Sequence, residues 1–167
     1  MRWHNYIIIF ISTLILNGCG VYSFTGASVP PEAKTISIGF FPNKAKLVEP
    51  TLSPTFTDIL RDKFTTQLNL NMVDRGGDLD IQGEITDYKT TPVAIQGDQT
   101  AALNRLTITV KARYTNKYEP DKDFEKTFTE FADYSSTEDF NSVKDNLIQI
   151  ISNALADDIF NKCVVNW

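Results

Sequence analysis

The stretch Arg105–Tyr118, RLTITVKARYTNKY, alternates apolar and polar residues almost without interruption. Leu106, Ile108, Val110, Ala112 and Tyr114 fall on one side of an extended chain, and Thr107, Thr109, Lys111, Arg113 and Thr115 on the other. Side chains of a β-strand repeat every two residues, so this pattern predicts a strand with one face in a core and one toward water. Such a strand cannot stand alone. Its backbone needs neighbouring strands, and its apolar side needs a second layer.

The flanking sequence supplies the neighbours. Pro120-Asp121 turns the chain into FEKTFTEFADY, where Phe128, Ala132 and Tyr134 share one phase and Phe131 takes the other. That conflict predicts a bulge or two-sided burial near Phe131. Upstream, Leu79, Ile81, Gly83 and Ile85 mark one face of a long strand, joined to the first by polar residues Gln96–Thr100 with Gly97-Asp98 as turn signal. A short strand around Met72-Val73 precedes it, followed by a turn at Arg75-Gly76-Gly77. KTISIGFFPN adds a further strand, with Ile36, Ile38 and Phe40 in phase and Pro42 closing it.

Two helical patterns supply the cover. In SPTFTDILRDKFTTQL, Ser53 suits an N-cap and Pro54 the first helical position, with Asp58 following in the first turns. Phe56, Ile59, Leu60, Phe64 and Leu68 then share one helical face. Near the C-terminus, Ser136-Thr137 offer caps, and Phe140, Val143, Leu147, Ile150, Ile151, Ala154, Leu155 and Ile159 form an apolar stripe. These elements predict an α+β fold. It is a two-layer sandwich, with a mainly antiparallel sheet of four to five strands and two helices packed on one face.

The N-terminus has a different composition. Arg2 is followed by the uncharged run YIIIFISTLIL, Tyr6–Leu16. That is shorter than the ~20 apolar residues a membrane-spanning helix needs, but it fits a secretory signal peptide. Leu16-Asn17-Gly18-Cys19 resembles the bacterial lipobox, whose cysteine sulfur receives diacylglycerol and whose freed amine is then acylated. A plain secretory signal or an uncleaved anchor are the alternatives, but the basic residue, the apolar run and the Gly-Cys boundary agree on lipidation. Each buried acyl methylene contributes roughly 0.8 kcal/mol, and one chain anchors only marginally, so several chains on Cys19 would make a lasting anchor. The expected organisation is a signal at 1–18, a tether at 19–33 that stiffens at Pro30-Pro31, and one domain at 34–167.

Charge and composition exclude whole classes of function. With 16 Lys and Arg against 21 Asp and Glu, the chain carries −5, and −6 once Arg2 leaves with the signal. A nucleic-acid partner is therefore not expected. The single histidine, His4, also lies in the signal, which leaves the domain without an imidazole for triads, general-base work or zinc. Cys163 has no intrachain disulfide partner if Cys19 is lipidated, and is expected to pack near the end of a helix. Asp121, Asp123 and Glu125 alternate as a calcium loop might, but lack its glycine and its frame, and read as a solvated hairpin tip. Asp58 and Asp62 read as a solvated helix face, and Gly76-Gly77 as a turn rather than a phosphate loop. No catalytic residue, metal or cofactor is expected.

One positive feature remains. Arg105, Lys111, Arg113 and Lys117 share the parity of the sheet face that the helices leave bare. They read either as a soluble surface paired across strands to Glu84 or Glu125, or as contacts for a phosphorylated lipid headgroup or a partner protein.

The order of motifs is similar to that of a known family. Cys-Gly-Val-Tyr-Ser-Phe after the lipobox, the Pro-Pro tether, KTISIGFFPN, TLSPTFTDILRDKF, GDLDIQGEITDY, ALNRLTITV and FEKTFTEFADY together resemble the lipopolysaccharide-assembly lipoprotein LptE, in a divergent form. The resemblance implies a non-enzymatic lipoprotein at the periplasmic side of the outer membrane. It also implies a partner, the β-barrel LptD, whose lumen it plugs and whose assembly it assists while lipopolysaccharide moves to the surface. Gly20, where an Asp would retain a lipoprotein at the inner membrane, agrees with that location. The alternative is a periplasmic lipoprotein that carries a lipid or small ligand between sheet and helices. The bulk of Phe56, Phe64, Phe128, Phe140 and Tyr114 predicts a core that fills itself instead.

Overall fold

The computed structural model describes residues 29–93 and 102–164. The signal, Cys19 and the Gly97-Asp98 turn lie outside the described residues. In chain order the elements are β1 (Thr35–Ile38), α1 (Leu52–Gln67), β2 (Asn71–Val73), β3 (Leu79–Val93), β4 (Leu103–Asn116), a 3₁₀ turn at Pro120–Lys122, β5 (Phe124–Ser135) and α2 (Phe140–Val164). They form the expected α+β sandwich. The five strands make one sheet in the order β2-β1-β3-β4-β5.

The sheet is mainly antiparallel, as expected, but mixed rather than purely so. β3, β4 and β5 run antiparallel, whereas β1 is parallel to both β2 and β3. The cause is the connection. α1 carries the chain back across the sheet, so β2 starts from the same end as β1, as parallel pairing requires. Residues 74–78 then link β2 to β3, which lie on opposite sides of β1. This link is pressed onto the β1 backbone: Gly76 has φ +67°, and a Cβ on Gly77 would sit 2.5 Å from Ser37 N. The Gly77 N–H donates to Ser37 Oγ at 3.0 Å, and Ser37 is buried although its side chain points away from the helices. The two glycines thus meet two different demands, one of backbone angle and one of space.

The apolar face of β4 is buried as its alternation requires, with Leu106, Ile108, Val110, Ala112 and Tyr114 all covered. On β3 the phase slips once. The β3–β4 register shifts between Ile85 and Asp87, so Thr86 is extra and Tyr88 joins Leu79, Ile81 and Ile85 in the core. A similar slip follows β1. Gly39 N–H bonds Ile81 O and Ile85 N–H bonds Pro42 O, and between these two points Phe41 turns inward. Phe40, which strict alternation placed inside, is 58% exposed.

α1 begins two residues earlier than its sequence signals suggest. Thr51 is the N-cap, without a side-chain capping bond, and Ser53 is buried in the first turn. Pro54 remains in that turn, where its missing N–H costs little. Phe56, Leu60 and Phe64 are buried, while Ile59 is partly covered. α2 starts at Phe140 rather than just after Ser136-Thr137, which form a turn in which Ser135 Oγ and Thr137 Oγ1 lie 2.7 Å apart. Its buried stripe contains Ile148 in place of the expected Ile150, which is half exposed. Both helices lie on one face of the sheet, and edge-to-face rings join sheet to helix, Phe41 to Phe56 at 5.1 Å, and helix to helix, Phe64 to Phe160 at 5.0 Å. Cys163 is buried near the end of α2.

Before β1, Pro30 and Ala33 are buried, and Ala33 N–H donates to Pro30 O at 3.0 Å. Pro30-Pro31 therefore opens a turn docked on the body. Among the described residues, no helix is long and apolar enough to cross a membrane.

Candidate functional site

The face that the helices leave open is built by alternate residues of three long strands. β3 presents Asp80, Gln82 and Glu84, then Asp87 and Lys89 beyond its bulge; β4 presents Arg105, Thr107, Thr109, Lys111, Arg113 and Thr115; β5 presents Glu125, Thr127, Thr129, Phe131 and Asp133. The face is polar and rich in threonine, and two antiparallel ladders hold it, β4–β5 unbroken and β3–β4 with one bulge.

The four basic residues singled out from sequence do share this side of the molecule, but three of them have carboxylate partners. Arg105 grips Asp133 with two parallel bonds, Nε to Oδ1 at 2.7 Å and Nη2 to Oδ2 at 2.9 Å. Its guanidinium lies over the Phe131 ring, 3.7 Å from the centroid. The phase conflict at Phe131 is resolved by this contact. The β4–β5 register runs unbroken, so there is neither a bulge nor two-sided burial, and Phe131 stands half exposed beneath Arg105. Asp133 is held below the usual carboxylate range by its bond from Arg105, and Arg105 is raised in turn.

Lys111 sits directly opposite Glu84 in the β3–β4 register, yet its Nζ bonds Glu125 on β5 at 2.5 Å. That bond raises the lysine and lowers the glutamate. Arg113 lies opposite Glu125 and Gln82, and among the described residues it makes no ion pair. It lines a shallow depression of ≈ 240 Å³ together with Gln82, Gly83, Glu84, Lys111 and Glu125.

Lys117 belongs to another structure. At the foot of β4 its Nζ approaches Asp78 Oδ1 at 3.3 Å. Asp78 Oδ2 also accepts from Lys34 N (3.0 Å), Thr35 N (3.2 Å) and Thr35 Oγ1 (2.9 Å). These bonds, that from Lys34 N–H foremost, hold the Asp78 carboxyl far below its ordinary range. Lys117 thus helps tie β1 to the end of β4.

An open groove at the end of β1 and β2 escaped the sequence reading. Phe40, Arg61, Asp74, Arg75, Asp80 and Gln82 line it. Arg61 already spends two donors on Ile38 O, at 3.2 and 2.9 Å. Two of the three acids of the hairpin tip are likewise engaged: Asp123 Oδ1 accepts Asn116 N–H at 2.7 Å and Glu125 holds Lys111. Among the described residues no group of three acids, cysteines or histidines could hold a metal.

A family model described as LptE, lipopolysaccharide-assembly, matches residues 33–163, across both layers of the sandwich. The chain belongs to the LptE family. That family serves lipopolysaccharide assembly. No curated protein matches the chain by sequence. Among solved structures, LptE-like lipoproteins share the fold. The rare lipoprotein B of Shewanella oneidensis matches with TM-score 0.53 at 13% identity, covering 77% of this chain and 92% of the other. A minor lipoprotein of Acinetobacter baumannii gives TM-score 0.51 at 15% identity, with 78% and 91% covered. Lipoprotein B of Nitrosomonas europaea gives 0.52 at 12%, with 86% and 88% covered. At such identities the likeness extends to the fold alone, and the open face must be read from this chain's own residues.

Proposed function

We propose that this protein is a lipid-anchored subunit at the periplasmic side of the outer membrane that plugs an LptD-type β-barrel and assists its assembly. In this role it supports lipopolysaccharide transport to the surface. Cys19 carries the lipid after removal of residues 1–18, residues 19–33 tether the body, and 34–167 form the plug. The observation that carries the reading is the open face of β3–β5. A large barrel has a polar lumen. A face of threonines on which Arg105 and Lys111 are already paired across strands can meet such a wall with few bare charges to strand away from water.

The same pairing ranks the basic residues as lipopolysaccharide contacts. Arg113 is free to meet a phosphate. Arg105, Lys111 and Lys117 must first release Asp133, Glu125 or Asp78. The carrier alternative finds little support, because the space between the layers is filled by Phe41, Phe56 and Phe64, all fully buried.

The test is photocrosslinking in living cells from full-length protein carrying the probe at Lys111 or Arg113, with Ile150 on the helical side as comparison. Adducts to a large β-barrel from the first two positions and not from Ile150 are expected. Cys19→Ala should release the protein from the membrane fraction. Recovery of no barrel in mild detergent, or adducts from Ile150 alone, would refute the proposal.

A further inference from the structure

The two edges of the sheet are unequal. β2 is three residues long, whereas β5 offers an outer edge along Phe124–Ser135, free of proline and of any break in its register with β4. A long regular edge is a template for another strand. Its hydrogen-bonding parity follows from the hairpin. Ser136 N–H bonds Ala102 O, one step beyond the Leu103–Ser135 pair, so even-numbered residues of β5 point their backbone groups at β4. The odd-numbered residues Glu125, Thr127, Thr129 and Phe131 therefore turn theirs outward.

Two charges on this strand lack an opposite partner. Lys126 is exposed and, among the described residues, forms no ion pair; its ammonium rests 5.1 Å from the Phe128 ring centroid. Glu130 lies beside Asp158 of α2, a second carboxyl, and burial together with this neighbour raises it. The two charged residues are four apart on one strand, too far to meet within a chain.

We infer that β5 pairs antiparallel with β5 of a second copy about a two-fold axis at Phe128, placing Lys126 of each copy opposite Glu130 of the other. In this register Thr127 faces Thr129, and these odd-numbered positions exchange the outward backbone bonds, as the parity requires. Moving the axis to residue 127 or 129 places no acid opposite Lys126. An axis at residue 126 or 130 opposes like charges. Charge complementarity therefore selects one register and one occupant, with the symmetry of an isologous dimer. The inference does not rest on the proposed plugging role, and it concerns the protein free of a barrel.

The test is sedimentation of full-length protein in mild detergent across a concentration series. Self-association is expected for the wild type. Lys126→Glu and Glu130→Lys should each weaken it by about tenfold or more, because each reversal creates two like-charge contacts. The double variant should restore it, which a merely structural effect at either site would not do. Thr127→Pro removes an outward N–H that β4 does not use, and should abolish association while leaving the circular dichroism of the fold unchanged. A wild type that stays monomeric throughout overturns the inference. So does a double variant no better than the singles.

Discussion

Replacing Phe64 by alanine tests the two-layer core most directly. Phe64 lies on α1, is fully buried, and meets Phe160 of α2 edge-to-face at 5.0 Å. Truncating a buried phenylalanine removes its transfer free energy and leaves a cavity, at a cost of about 3–5 kcal/mol. A domain of this size has roughly 5–15 kcal/mol of total stability, so the variant should lose a large share of it. At roughly 2–8 °C per kcal/mol, the midpoint should fall by on the order of 10 °C or more. Phe131→Ala is the matched control. The same ring is lost, but from a half-exposed position on the open face, and the expected change is within about 1 kcal/mol. Urea and thermal unfolding followed by circular dichroism would measure both. If Phe64→Ala cost less than about 1 kcal/mol with an unchanged denaturant slope, or if Phe131→Ala cost as much as Phe64→Ala, the assignment of core and surface to these faces would be wrong.

The remaining predictions concern single groups. Asp78, with its pKa depressed from 3.8, contributes stability that is fully present above that value and is lost as pH falls below it toward the folded-state value. Asp78→Asn should therefore lower the midpoint at neutral pH, and the gap to wild type should narrow as unfolding is measured at progressively more acid pH; a gap independent of pH would contradict the bonding described. Burial pushes the Cys163 thiol well above its ordinary range, so it should resist a thiol reagent in the folded protein and react on unfolding, and rapid labelling of the native state would place it elsewhere.

The parts of the fold legible in the sequence are those fixed by local periodicity. β4 declares its inner face through five alternating apolar residues, and α1 does so through Phe56, Leu60 and Phe64 at helical spacing. The parts that were hidden depend on partners distant in the chain. Phe41 displaces Phe40 from the core because residues 39–42 slip one position against β3. Gly83 reads as one more inward position of β3, but a Cβ there would collide with the Lys111 carbonyl and the Phe41 ring, so glycine is what lets Phe41 lie against the sheet. The parallel placement of β1 follows from where α1 returns the chain, and no residue of β1 encodes it. Phe131 is the clearest instance. Its sequence phase argued for burial or a bulge, and only the cross-strand approach of Arg105 explains an exposed ring in a regular strand.

The same dependence on register governs what the open face can do. In sequence, Arg105, Lys111, Arg113 and Lys117 form a basic stripe, and a basic stripe suggests attraction to phosphate. Strand pairing sets five acids (Asp80, Glu84, Asp87, Glu125, Asp133) among four bases (Lys89, Arg105, Lys111, Arg113) on this face. Its net charge is then −1, a small part of the −5 carried by the whole chain. The two helices together carry the same net charge of −1, with Asp58, Asp62, Asp145, Asp157 and Asp158 set against Arg61, Lys63, Lys144 and Lys162. An anionic group approaching the open face therefore meets little net repulsion. There, Arg113 can bind without breaking an existing pair. The stripe matters less as a source of positive charge than as a means of cancelling negative charge on the one face the helices leave free.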